Sequence, residues 1–237
     1  MSDAPRLILL GTIHRDPAGA DKLGRALDEH QPGIVTVEVS RYGVEFRERR
    51  AADLLVRLFR DVAELAVQLD RRFEELKQHP AIVFLRTAIE MPFEWQTSAR
   101  WAAEHGAACI AIDDDDVSRR NLELLEREAL AMDNLRRLVT DDDAATAVGE
   151  RVIEQELLAR RYLRVPDLFH LHFRREEKAE LEARDRAMAD RIRTLRAENP
   201  DVTLAHVCGW EHLVVTPGIA TLARQLETLQ PRRELPH

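Results

Sequence analysis

The chain has 237 residues, with 35 Lys and Arg residues against 43 Asp and Glu residues, and its formal net charge is −8 at pH 7. This balance argues against a nucleic-acid-binding protein, because such proteins present a basic field to phosphates. Two cysteines exclude a secreted disulfide scaffold, and the absence of a signal-peptide pattern or of roughly 20 consecutive apolar residues predicts a cytoplasmic protein without a membrane span.

The first two of four short apolar segments frame a helical pattern. The four segments are typical of buried parallel strands and comprise Leu7–Leu10, Ile34–Val39, Ala108–Ile112 and Val202–Val207. Between the first two, Asp16–Gln31 begins with Asp-Pro and places Leu23 and Leu27 on one face, which predicts a helix. The chain therefore begins with a predicted β-α-β unit.

Helical patterns occupy most of the remaining chain. They cover Val44–Gln78, Phe93–His105, two stretches within Val117–Leu163, Glu176–Glu198 and about Pro217–Leu229. Alternating strands and helices predict an α/β fold with a central, mainly parallel sheet flanked by helices. We expect one α/β domain over residues 1–237, with about 117–183 as a helical insertion or cap, because that segment is too long for a simple crossover.

Polar residues follow each predicted strand. The first strand leads into Gly11-Thr-Ile-His14 and the fourth into Gly209-Trp-Glu211-His212, so the pattern G-x-x-H occurs twice in the same context. Glu38 lies near the end of the second strand, and the third strand ends at Asp113–Asp116. Because carboxyl ends of parallel strands share one edge, where open α/β sheets bind ligands, we expect these residues to converge.

Histidines and carboxylates at one edge can bind a divalent metal ion or share acid–base work. We predict His14 and His212 as metal ligands, together with Asp113 or Asp114, since the register within the four aspartates stays open. Glu38 is a further ligand or a catalytic group. Glu211 is a general base, an extra ligand, or a residue that orients a ligand.

The ordered set of motifs resembles the TraB/Tiki family, which belongs to a wider group containing erythromycin esterase and ChaN-type haem-binding lipoproteins. The set comprises GTIH, Glu38, the aspartates after the third strand, Arg184-Asp185-x-x-Met-Ala and GWEH. The resemblance extends from about Leu7 to Gly218. It departs from the family at Trp210, where small residues are commoner, and in lacking the transmembrane tail of some members.

The resemblance implies an α/β fold and, as in the Tiki members, metal-dependent peptidase activity with manganese or cobalt. Zinc is a further candidate for the metal. It also implies functional roles for Arg184 and Asp185, and Arg184 is a candidate for anchoring a substrate carboxylate or stabilising an oxyanion.

Three functions use the same residues. The first is a metal-dependent, peptidase-like hydrolase acting on a peptide or small molecule. The second is a metal-free, esterase-like hydrolase in which His14 is a general base paired with Glu38. The third is a non-catalytic protein that binds a peptide or a haem-like ligand. Amphipathic helices also favour a homodimer.

Structural roles compete with several of these assignments. His14 alone is compatible with a histidine that hydrogen-bonds the backbone, and Glu38 with a simple ion pair to Arg41 or Arg47. The aspartate run is also typical of a helix N-terminus before Val117. His170 and His172 have the spacing of two ligands on a strand, but an apolar-flanked cap segment is the favoured interpretation.

Overall fold

The computed structural model describes residues 6–141, 148–167, 169 and 175–237. Within this part of the chain, a five-stranded sheet has the order β3-β2-β4-β1-β5, and every neighbouring pair is parallel. The strands are β1 Leu7–Thr12, β2 Ile34–Val37, β3 Ala108–Ala111, β4 Leu204–Gly209 and β5 Arg232–Glu234. The sheet and its flanking helices confirm the predicted α/β fold.

Ten α-helices occur among the described residues. They are α1 Gly19–His30, α2 Arg41–Gln68, α3 Phe73–Lys77, α4 Pro80–Ile89, α5 Phe93–His105, α6 Asp115–Leu124, α7 Met132–Thr140, α8 Val148–Arg164, α9 Arg175–Glu198 and α10 Leu222–Gln225. A π-helical turn, Leu125–Ala129, follows α6, and 3₁₀ turns occupy Trp210–Leu213 and Glu227–Leu229.

One face of the sheet is covered by α9 and α10. Side chains alternate along a strand, so Leu7 and Leu9 of β1 share a face with Leu204 and Cys208 of β4. These residues form one buried cluster with apolar side chains of the two helices, including Met188, Ala189, Ile192, Leu222 and Ala223. This face holds a main part of the apolar core, which fixes α9 against the sheet.

Helices α1 and α5 also contact the sheet. The two helices contact each other, α1 contacts β1, and α5 contacts β2 and β3. The apolar face predicted for α1 is confirmed, because Leu23 and Leu27 are fully buried. Gly19 is required for this packing, since an added Cβ would lie 2.4 Å from the Phe93 ring of α5.

The chain divides into two compact units. One contains Met1–Val39, Phe93–Asp114 and Val152–His237, which include the sheet. The other contains Ser40–Pro92 and Asp115–Arg151. This second unit is helical in its described residues, and its core includes Leu58, Val62 and Leu65 of α2, Ile82 of α4 and Leu135 of α7.

The segment predicted as an insertion, 117–183, is shared between the units, because residues up to Arg151 belong to the second and residues from Val152 to the first. The organisation as one α/β domain with this insertion stays a prediction.

Among the described residues, no helix is both long enough and apolar enough to cross a membrane.

The structure differs from the predicted elements in several places. Helix α1 begins at Gly19 because Asp16 instead forms a turn, in which its side chain accepts a hydrogen bond from the Ala18 amide. The helix expected over 217–229 is limited to α10 and a 3₁₀ turn. The polar segment Arg232–Glu234 forms a fifth strand, which pairs with β1 although its sequence lacks an apolar pattern.

Candidate functional site

The two G-x-x-H motifs lie at the carboxyl ends of two neighbouring strands, where the chain leaves the strands in different directions. Strand β1 pairs in parallel with β4, and Gly11 and Thr12 are opposite Cys208 and Gly209. The chain leaves β1 toward α1, whereas it leaves β4 toward α10, which packs in the α9 cluster. Such a point, where successive connections part to opposite faces, is the usual ligand crevice of an open α/β sheet.

His14 is held by a glutamate that the sequence did not identify as functional. The His14 Nδ1 atom lies 2.7 Å from Oε1 of Glu94, which is in the first turn of α5. The Glu94 side chain is 7% exposed, whereas that of His14 is 56% exposed. The same carboxylate oxygen lies 3.0 Å from the Thr12 hydroxyl. A buried acid therefore orients an accessible imidazole.

The surroundings of His14 favour its charged form. Desolvation of the ring opposes protonation, but the hydrogen bond and charge of Glu94, with the charges of Glu38 and Glu211, raise the pKa of His14 to about 9. The same pair lowers the pKa of Glu94, because the interaction with His14 outweighs the desolvation of its carboxylate. At neutral pH the two groups form an ion pair.

The second motif histidine, His212, is buried between two acids. Its Nδ1 hydrogen-bonds Oδ1 of Asp185, and its Nε2 lies 3.1 Å from Oε1 of Glu38. The other Asp185 oxygen accepts a hydrogen bond from the Leu222 amide at the start of α10. Burial disfavours the imidazolium, but both carboxylates raise the pKa of His212 well above its ordinary value. His212 is therefore charged at neutral pH.

Glu38 connects the buried groups at this edge. Its Oε1 lies 2.9 Å from an Arg184 guanidinium nitrogen, and its Oε2 accepts a hydrogen bond of 2.8 Å from the Gly209 amide. Arg184 also contacts both oxygens of Asp113, at 2.7 and 3.3 Å. Although burial disfavours its charge, His212 and Arg184 lower the pKa of Glu38 well below its usual range.

Gly209 leaves room for the groups at the mouth of the site. A Cβ added there would lie 3.0 Å from Nε2 of His14 and 3.1 Å from Oε2 of Glu211. Both atoms therefore approach the same point on the backbone after β4. This close approach, rather than an unusual φ angle, is the reason for glycine, since Gly209 has an ordinary φ of −60°.

A second histidine of β4 lies deeper in the sheet. His206 is fully buried, and its Nδ1 is 2.9 Å from the hydroxyl of Thr36 on β2. Desolvation lowers the pKa of His206 to about 3, against the opposing influence of Glu38, so this ring is neutral. His206 therefore contributes a polar pair in the core, whereas His14 and His212 are the charged histidines of the edge.

The structure brings most of the predicted site residues together. Glu38, Asp113, Arg184, Asp185 and His212 form one hydrogen-bonded network. Within the aspartate run, Asp113 is the member that contacts Arg184. Asp115 and Asp116 lie in the first turn of α6, as the helix N-terminus interpretation predicts.

The structural partners that the sequence suggested for Glu38, Arg41 and Arg47, make other contacts. Arg41 pairs with Glu45, and Arg47 hydrogen-bonds backbone carbonyls within its own unit. The role predicted for Asp114, which is half-buried, stays a prediction. His170 and His172 lie outside the described residues.

The functional residues that sequence reasoning missed are Glu94 and Thr12. A signal for Glu94 existed, because the helix before a parallel strand begins at the carboxyl edge of the sheet, and Glu94 is in the first turn of such a helix, α5. The partner predicted for His14 in the metal-free mechanism was Glu38. In the structure the hydrogen-bonded partner is Glu94.

The binding of a metal ion by His14, His212 and Asp113 or Asp114 stays a prediction. In the structure both ring nitrogens of His212 face carboxylates, and the Arg184 guanidinium lies between Glu38 and Asp113. Within the described residues, no group of three or more His, Cys, Asp or Glu side chains is arranged to hold a metal ion.

Comparison of the chain with protein-family models, with curated proteins and with solved structures finds no match. The resemblance to the TraB/Tiki family accordingly stays a prediction drawn from the motifs alone.

Proposed function

We propose that the protein hydrolyses a carbonyl substrate, either a carboxylic ester or an amide such as a peptide bond, with His14 as its general base. The observation that carries this proposal is the pairing of His14 Nδ1 with the buried Glu94 carboxylate at 2.7 Å. A carboxylate in this position holds an imidazole in one orientation and stabilises its protonated form, while the opposite nitrogen works on the substrate.

The reaction follows from this arrangement. Neutral His14 accepts a proton from water through Nε2, and the hydroxide equivalent attacks the carbonyl carbon to give a tetrahedral intermediate. The intermediate expels the alcohol or amine, which receives the proton from the His14 imidazolium. The products are a carboxylic acid and the alcohol or amine, and His14 returns to its neutral form.

The other charged residues support this role from the same edge. Arg184, whose side chain is 27% exposed, supplies a cation suited to stabilise negative charge on the carbonyl oxygen. Glu38 and Asp185 fix Arg184 and His212 in place rather than contact the substrate. Glu211 reaches the His14 side of Gly209 and is suited to orient the attacking water.

A metal-dependent hydrolase at the same edge is the second proposal. It is supported by Nε2 of His14 and Oε2 of Glu211, two donor atoms that approach the same point near Gly209. A manganese, cobalt or zinc ion bound there would lower the pKa of a bound water.

The cytoplasmic location and the homodimer stay predictions. Light scattering of the purified chain tests whether it forms a homodimer.

The test is hydrolysis of 4-nitrophenyl acetate and of a mixed peptide library by the full chain, before and after metal removal with a chelator. We expect turnover that persists after metal removal and is lost in His14→Ala. The matched control is His105→Ala, because His105 lies at the end of α5 and hydrogen-bonds the backbone of Trp101.

Two other outcomes of this test would change the proposed mechanism. Loss of turnover on metal removal, with recovery on adding manganese, cobalt or zinc, replaces the first mechanism by the second. Full activity of His14→Ala overturns the role of His14 in both mechanisms.

A further inference from the structure

Glu211 differs from the other acids of the proposed site in its contacts. In the part of the chain that the structure describes, its carboxylate makes no hydrogen bond and no ion pair. Each of the other acids contacts a basic side chain. These contacts are Glu94 with His14, Asp185 with His212, Glu38 with His212 and Arg184, and Asp113 with Arg184. The negative charge of Glu211 is therefore available to a ligand.

The backbone around Glu211 fixes where its carboxylate lies. Glu211 belongs to the 3₁₀ turn that follows β4, and its neighbours Trp210 and His212 are buried, at 2% and 4% exposure. The Glu211 carbonyl accepts a hydrogen bond from the Val214 amide. The Glu211 side chain itself is half-buried. The carboxylate therefore extends from a turn that is anchored in the core on both sides.

The Glu211 carboxylate and the proposed general base approach the same point of the backbone. A Cβ at Gly209 would lie 3.1 Å from Oε2 of Glu211 and 3.0 Å from Nε2 of His14. The attacking water binds at that Nε2 atom, so the attacked carbonyl carbon lies close to it. A substrate group that contacts Glu211 at the same time must be attached close to that carbonyl, as the α-substituent of an acyl group is.

The charge of the site favours a cation at this position. Acidic side chains outnumber basic ones among the charged residues of the site. The acids are Glu38, Glu94, Asp113, Asp185 and Glu211, and the bases are His14, Arg184 and His212. A cation at Glu211 gains from this negative potential, whereas a carboxylate at the same place is repelled. A primary ammonium suits a single carboxylate, because it is a compact charge with three hydrogen-bond donors.

We propose that Glu211 binds an ammonium group of the substrate, and that the substrate is an aminoacyl ester or amide with a free amino group, such as the N-terminal residue of a peptide. This inference rests on the proposed hydrolase function, because it names the substrate class of the same site. Hydrolysis then consumes water and releases an amino acid together with the alcohol or amine. Orientation of water by Glu211 would serve every substrate alike, whereas an ammonium contact serves only substrates that carry an amino group.

The test compares kcat/KM for two anilides that differ in the amino group, L-alanine 4-nitroanilide and N-(4-nitrophenyl)propionamide, in the wild type and in Glu211→Gln. Glutamine retains the shape of the side chain but not its charge. We expect the wild type to prefer the alanine anilide, and Glu211→Gln to reduce that preference about tenfold to hundredfold, as for the loss of one hydrogen bond between charged groups. The ratio is the readout, because a role in orienting water would lower both rates by the same factor.

Glu227→Gln is the matched control, because Glu227 is an exposed glutamate of another 3₁₀ turn in the same unit. This variant should keep the wild-type ratio. A ratio in Glu211→Gln equal to that of the wild type overturns the inference, and so does a wild type that prefers the propionamide.

Binding of L-alaninol separates this inference from the proposed function. Alaninol carries the ammonium group but no bond that a hydrolase cleaves, and 1-propanol is its counterpart without the amino group. Each is titrated into the full chain, and the NMR signals of the His14 ring and the Gly209 amide are followed. We expect alaninol to shift these signals, 1-propanol to leave them unchanged, and Glu211→Gln to weaken alaninol binding at least about tenfold.

The two failures are distinguishable in this experiment. Alaninol binding without turnover of any ester or amide retains the ammonium site and overturns the hydrolase. Turnover without alaninol binding retains the hydrolase and overturns the ammonium site.

Discussion

Replacement of Glu94 by glutamine tests the electrostatic basis of the His14 pair. The glutamine side chain retains an oxygen that can accept the hydrogen bond from His14 Nδ1, which is 2.7 Å long in the structure, but it removes the negative charge. Glu94 contributes to the His14 pKa through both its hydrogen bond and its charge, and that pKa is about 9 against an ordinary value of 6.5. We therefore expect Glu94→Gln to move the His14 pKa down from about 9 toward 6.5.

The change has a large effect on the protonation of His14 at pH 7. With a pKa of about 9, roughly 1% of His14 is neutral, whereas with a pKa near 6.5 the neutral form is the majority. The remaining charges of Glu38 and Glu211 keep the variant's pKa somewhat above 6.5. The shift is therefore downward, and its end point depends on these two acids.

The measurement is an NMR pH titration of the His14 ring protons in the wild type and in Glu94→Gln. His14→Gln identifies the signal by its disappearance, and Glu104→Gln is the control, because Glu104 lies near the opposite end of the same helix. A His14 pKa near its ordinary value of 6.5 in the wild type, or one that is unchanged in Glu94→Gln, would refute the reasoning, since either result separates His14 from the Glu94 charge.

Three further predictions concern the rest of the edge and the core beneath it. Arg184→Gln removes the cation that contacts buried Asp113 and one of the two cations that contact buried Glu38, so its free energy of unfolding in urea should fall by about 3 kcal/mol; an unchanged value would contradict the network. Gly209→Ala places a methyl group 3.0 Å from His14 Nε2 and should lower kcat/KM roughly 10- to 100-fold without a change in Tm, while Gly24→Ala, in open space, should leave kcat/KM unchanged. His206 has a folded pKa of about 3 against 6.5, so stability is lost as the pH falls below 6.5, by about 2 kcal/mol between pH 6.5 and 5; His206→Gln should remove that loss, and an equal pH dependence in both proteins would overturn it.

The central part of the sheet could be predicted because strands β1, β2 and β4 are buried throughout. Runs such as Leu7–Leu10 are apolar without alternation, which is the pattern of a parallel strand between two helical layers. The edge strand β5 has no such pattern, since Arg232 and Arg233 are exposed, and its pairing depends on the free edge of β1. Its position could not be derived from local sequence.

The candidate site was partly predictable for a related reason. The carboxyl ends of parallel strands meet, so the convergence of His14, Glu38, Asp113 and His212 followed from the strand assignments. Asp185 carries a second signal, because it shares the spacing of Met188 and Ala189 on the buried face of α9. The pairing within the cluster could not be predicted, since it depends on side-chain distances that strand order leaves open.

The most direct test of the proposed mechanism is the pH dependence of kcat/KM for 4-nitrophenyl acetate, measured on wild-type protein after metal removal. If neutral His14 is the general base, kcat/KM rises with pH and reaches a plateau above the His14 pKa of about 9. Loss of turnover on metal removal, or a rate that does not follow the His14 titration, would contradict the central claim that the His14–Glu94 pair performs the acid–base chemistry.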